Sequence, residues 1–224
     1  MRADHVKIPV AIPSLGASKK ALLNSIFFHP MTLAVAMTAM SPFAQAWAQC
    51  APSAPGSVSI SSGSCSDPDL TTRESTSAAP VVDVSGTGSY SGTSVLLTAS
   101  GSGHGVRASG NGTANLTGTS SDDVSEITTN GAGGRGLFAE NGGVITGNYT
   151  KVVTNGTNAY GISVVGANSS ITLTDSSVST VGDNAHGAYA AGGGTITLTR
   201  TDLTIDGTSA SAAFADAGGG DHSQ

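Results

Sequence analysis

Asp175 and Arg200 each close an Ile-Thr-Leu-Thr segment, and the two segments lie 25 residues apart in the chain. A carboxylate and a guanidinium at matching places in a repeat suit an ion pair, and at a surface such a pair adds little stability. Asp122, Asp123 and Glu126 offer oxygen ligands that could gather calcium, yet carboxylates in a loop are commonly just solvated. His104 and His186 occupy equivalent places three repeats apart, roughly 14 Å at strand spacing, too far for a shared ligand or a dyad. Ser163 and Ser211 have no histidine and acid at matching positions, so nucleophilic hydrolysis is not expected. No metal site and no cofactor are expected. Cys50 and Cys65 stand 15 residues apart, and in an exported chain they are expected to form one disulfide.

The elements that must position these residues recur. His104-Gly-Val-Arg-Ala108, Arg135-Gly-Leu-Phe-Ala139, Tyr160-Gly-Ile-Ser-Val164, His186-Gly-Ala-Tyr-Ala190 and Ser211-Ala-Ala-Phe-Ala215 are one segment written five times, at steps of 31, 25, 26 and 25 residues. So regular a period marks a repeat architecture. Each copy leads into a glycine or asparagine turn, where positive φ is cheap. An alternating strand follows, such as Ser170-Ile-Thr-Leu-Thr174, and then a third, such as Ser177-Val-Ser-Thr-Val181. Alternation of isoleucine or leucine with threonine is the period of a strand with one buried face. Three strands in about 25 residues, with no helical stripe, predict an all-β parallel β-helix whose turns stack at about 4.8 Å. The longer first step predicts a corner loop near Thr119–Val124.

The composition agrees: 38% hydrophobic but only 4% aromatic, as a narrow interior filled by aliphatic side chains requires. Residues 1–48 read as an export signal with a long basic leader (Arg2, Lys7, Lys19, Lys20). The apolar run from Met31 to Met40 is too short for a permanent anchor, and Ala46 and Ala48 end small-residue cleavage patterns. Cleavage after Ala48 leaves five basic residues against fourteen acids, a formal charge of −9, which disfavours a nucleic-acid partner. Residues 49–80 are expected to be a Ser/Pro-rich linker or N-terminal cap holding the cysteine pair, and 81–224 the solenoid.

Alternation sets the column Arg107, Phe138, Ser163, Tyr189, Phe214 opposite the aliphatic column Val106, Leu137, Ile162, Ala188, Ala213. If the aliphatic column points inward, the mixed one is an exposed stripe. Such a stripe either contacts a sugar or protein partner or merely shields a neighbouring strand or loop.

A basic leader, then short His/Tyr-Gly-aliphatic-x-Ala strands alternating with Ile-Thr-Leu-Thr strands, resembles the passenger domains of Gram-negative autotransporters, most of all the pertactin-like group. The resemblance covers the signal and residues 81–224. It implies a right-handed parallel β-helix displayed at the cell surface, with an outer-membrane β-barrel translocator not contained in these residues. The leader departs from the aromatic-rich extended signal that some members carry. The sequence stops in mid-lap, so the expectation is a fragment or truncated product. The function expected is non-enzymatic display of an adhesin or virulence type, towards a host-surface protein or glycan, at the cell surface or otherwise in the periplasm. The alternatives are a polysaccharide lyase or hydrolase on the same fold, for which clustered acids are wanting, and a remnant without function.

Overall fold

The computed structural model describes Cys50 and residues 56–216. The cleavage candidates Ala46 and Ala48 lie outside the described residues.

Every regular element among the described residues is a strand, and they form three parallel sheets. The first sheet holds β1 (Val58–Ile60), β4 (Val82–Val84), β7 (Val106–Ser109), β10 (Leu137–Glu140), β13 (Ile162–Val165), β16 (Ala188–Ala191) and β19 (Ala213–Asp216). The second holds β2 (Ser64–Asp67), β5 (Ser89–Thr93), β8 (Thr113–Thr117), β11 (Val144–Asn148), β14 (Ser170–Thr174) and β17 (Thr195–Thr199). The third holds β3 (Thr72–Ser75), β6 (Leu96–Ala99), β9 (Ser125–Thr129), β12 (Thr150–Thr154), β15 (Ser177–Thr180) and β18 (Asp202–Ile205). Each strand pairs with the strand three places on, so the chain winds as a parallel β-solenoid of about six turns and about 25 residues per turn.

The register keeps like over like. Ile145, Ile171 and Ile196 align in the second sheet, and Ile127, Val152 and Val178 in the third. Val106, Leu137, Ile162 and Ala188 line the first sheet inside. The interior also carries a polar column. Thr129, Thr154 and Thr180 align and are fully buried. Their hydroxyls donate to the carbonyls of Gly134, Ala159 and Ala185 at 3.0, 2.7 and 2.8 Å. Each thus satisfies a backbone group at the corner between the third and first sheets, which would otherwise be costly to bury.

The corners explain the glycines in two ways. After the first-sheet strands the chain goes left-handed, at Asn111 (φ 71°), Asn141 (φ 52°) and Asn168 (φ 64°), as the turn chemistry requires. Gly161 has another reason: a Cβ there would stand 2.3 Å from Val178 Cγ1, inside the core. Glycine in the His/Tyr-Gly-aliphatic motif is therefore a space requirement. The second to third sheet corner is a one- or two-residue bend with left-handed Ser94, Tyr149, Asp175 or Arg200, and in the first turn a four-residue bend with left-handed Leu70. In the third turn it is instead the loop between β8 and β9, closed by a bridge between Ser120 and Asp123. This is the expected insertion.

The expected boundary at residue 81 needs correction. Residues 58–75 already form a turn, with β1, β2 and β3 in register under β4, β5 and β6. This stretch is not a linker; the solenoid begins inside it.

Candidate functional site

Two columns of side chains run down the outer side of the first sheet. Strand register aligns Asp83, Arg107, Phe138, Ser163, Tyr189 and Phe214. The second column is the residue heading each repeat: His104, Arg135, Tyr160, His186 and Ser211, each three residues before its neighbour in the first column.

The heading residues lean over the strand column. His104 meets Phe138 edge-on with ring centroids 5.1 Å apart, and the Arg135 guanidinium lies 4.1 Å from the centroid of Phe138. Arg135 also lies 5.7 Å from the Tyr160 ring. Tyr160 stacks on Tyr189 at 5.0 Å, His186 on Phe214 at 4.9 Å, and Tyr189 on Phe214 at 5.8 Å. The result is a ladder in which successive turns contribute rings stacked along the solenoid axis.

This ladder corrects the expected exposure. Phe138 is only 6% exposed and Ser163 fully buried, while Phe214 is 45% exposed. The register expected for the column holds, but Phe138 is roofed by Arg135 of its own turn and His104 of the preceding turn. Ring faces are spent on one another, so flat stacking of a sugar on these rings has little room. The Ser163 hydroxyl, aligned between Phe138 and Tyr189, has no hydrogen-bond partner among the described residues.

Both histidines have a fixed tautomer. The backbone N–H of Arg135 donates to His104 Nδ1 at 3.1 Å, and that of Ser211 donates to His186 Nδ1 at 3.0 Å. An accepting Nδ1 leaves the proton on Nε2, which becomes a donor. Burial, with Arg135 and Arg107 nearby, pushes the His104 pKa down to about 4, so this ring is neutral near pH 7.

The cations divide sharply. Arg107 reaches Glu140 Oε1 through Nε at 2.8 Å and Asp83 Oδ1 through Nη1 at 3.0 Å, a three-turn clamp. Lys151 faces Glu126 across one turn at 3.3 Å. Arg200 and Asp175 form the expected pair, with both oxygens engaged at 2.6 and 2.8 Å. That bond holds the Asp175 carboxyl below its usual range. Arg73 is paired with Asp67. Among the described residues, Arg135 alone of the lysine and arginines makes no direct ion pair; rings flank its charge, and the Glu140 carboxylate acts on it only from beyond contact. Burial lowers its pKa from the ordinary value.

At the first turn the interior is polar. Arg73 and Asp67 are 1% and 3% exposed and bonded to each other; the Tyr90 hydroxyl donates to Asp67 Oδ2 at 3.0 Å. Arg73 also donates to the carbonyls of Gly56 (3.0 Å) and Cys50 (3.2 Å). Burial and the Asp67 charge push the Tyr90 pKa upward. A disulfide joins Cys50 to Cys65 and so ties Cys50 to this turn. Gly92 leaves room for the Tyr90 ring, since a Cβ there would meet its hydroxyl at 2.8 Å.

Asp122 and Asp123 stay in the corner loop, and Asp123 accepts a hydrogen bond from Thr119. No three His, Cys, Asp or Glu side chains among the described residues group as metal ligands would. Sequence reasoning missed the heading column as part of the site, although it quoted those residues; their shared distance from the motif glycine was the available signal. It also missed Asp67, Arg73 and Tyr90. Comparison with protein-family models, curated proteins and solved structures found no match.

Proposed function

We propose that the chain is a non-enzymatic display scaffold of the autotransporter passenger type, a right-handed β-solenoid held at the cell surface through a β-barrel translocator and meeting a host-surface glycan or protein. The observation that carries this reading is the pair of outer columns on the first sheet. They form one continuous, rigidly registered stripe of ring edges and donors along the solenoid. Rigidity of this sort presents groups at fixed spacing without the cost of ordering them on contact. The acids bordering the stripe support the same reading, because Asp83 and Glu140 are both committed to Arg107. A glycosidase would instead use a pair of uncommitted carboxyl groups flanking its substrate.

The test uses antibody against the chain on intact cells that produce it. Labelling before permeabilisation, together with reduced host-cell attachment when purified chain is added as competitor, is the expected result. Labelling only after permeabilisation, or depolymerisation of a polysaccharide by the purified chain, would contradict the proposal.

A further inference from the structure

The stripe on the first sheet is chemically one-sided. His104 and His186 use Nδ1 to accept from the backbone, so each turns a protonated Nε2 away from that bond. Tyr160 and Tyr189 have stacked rings, and their hydroxyls bond to no described residue. Between His104 and Tyr160, one turn from each, lies the half-buried Arg135, whose N–H groups likewise find no acceptor among the described residues. The described lysine and the three other arginines are each in direct contact with a carboxylate, whereas Glu140, bonded to Arg107, reaches Arg135 only through its field. Arg135 has two aromatic faces, which hold its plane while leaving its edge able to donate.

We infer that Arg135, with the Tyr160 hydroxyl and His104 Nε2 on the adjacent turns, forms a binding site for the carboxylate of an acidic polysaccharide laid along the solenoid axis. A planar guanidinium pre-oriented by rings is suited to bidentate capture of a carboxylate. Its charge is partly desolvated, and an incoming anion relieves that cost. The flanking donors recur once per turn, about 4.8 Å apart, a pitch comparable to one sugar ring in a chain. Hydroxyl and carboxylate oxygens of a uronate glycan supply the acceptors this row wants. A protein partner fits less well, since specific protein interfaces centre on buried apolar anchors. Of the exposed large hydrophobic side chains described, only Phe214 belongs to the stripe.

This inference rests on the display reading above and names its ligand class. The probes are a hyaluronan hexasaccharide, its carboxyl-reduced counterpart and a short poly-glutamate peptide, titrated calorimetrically into the full chain. The hexasaccharide is expected to bind, and carboxyl reduction to weaken it by about tenfold or more. Arg135→Gln should weaken it similarly, Arg135→Lys in part because the planar fork is lost, and Tyr160→Phe by about threefold to tenfold. Arg200→Gln should leave affinity unchanged, with thermal melting verifying that each variant folds. Absence of hexasaccharide binding, equal binding of the reduced sugar, equal or tighter binding of poly-glutamate, or indifference to both Arg135→Lys and Tyr160→Phe would overturn the site. Host-cell attachment that survives Arg135→Gln would leave display standing and this site refuted. Hexasaccharide binding by a chain that never reaches the surface would do the reverse.

Discussion

A few side chains carry roles their types alone do not announce. His104 is held neutral, with a pKa near 4 against about 6.5 in the unfolded chain. Between those values the unfolded state binds more protons, so stability is full above pH 6.5 and falls as pH drops towards 4. His104→Asn places an oxygen acceptor near Nδ1 without the titration. The wild-type melting temperature should therefore fall more steeply over that window than the variant's; equal slopes would contradict the assignment. Arg73 is the second case. Arg73→Met strands the Asp67 charge and should cost about 3–5 kcal/mol in urea unfolding. Arg73→Met with Asp67→Leu should recover much of that loss, and no recovery would mean that the guanidinium acts mainly through the carbonyls of Gly56 and Cys50.

At the scale of elements, stacking is governed by how closely successive corners approach. Gly131, Gly156, Gly182 and Gly207 form a column in which a Cβ would fall 2.1, 2.1, 2.0 and 1.9 Å from a carbonyl oxygen of the turn before. Gly156→Ala should cost about 1–3 kcal/mol, because backbone rather than a flexible side chain must move. An unchanged denaturation midpoint would mean that the corners are looser than described. Much of this scale was legible in the sequence. The repeat of Ile-Thr-Leu-Thr, the asparagine turns and the long first step gave the strands, the left-handed corners and the corner loop. The first turn was not legible, because its inward positions are Cys65, Asp67 and Arg73 where later turns place Ile145, Leu116 or Ile127. A polar plug breaks the alternation by which a buried face is read. The roof over Phe138 was hidden for another reason. It is made by side chains leaning sideways from the heading positions, which strand alternation does not encode.

At the scale of the whole molecule, the solenoid turns a 25-residue period into straight columns, and the outer columns differ in chemistry. The described cations of the second and third sheets and their corners are closed in pairs, Arg73–Asp67, Lys151–Glu126 and Arg200–Asp175. The first sheet, beyond the Arg107 clamp, keeps unspent donors in a line. Recognition along that one face is the central claim. The most direct test is mapping of backbone amide shifts in the isotope-labelled full chain on addition of the hyaluronan hexasaccharide. Perturbations running through residues 104, 135, 160 and 186 and their strand neighbours are predicted. Perturbations confined to the second or third sheet, or none at saturating sugar, would contradict the account.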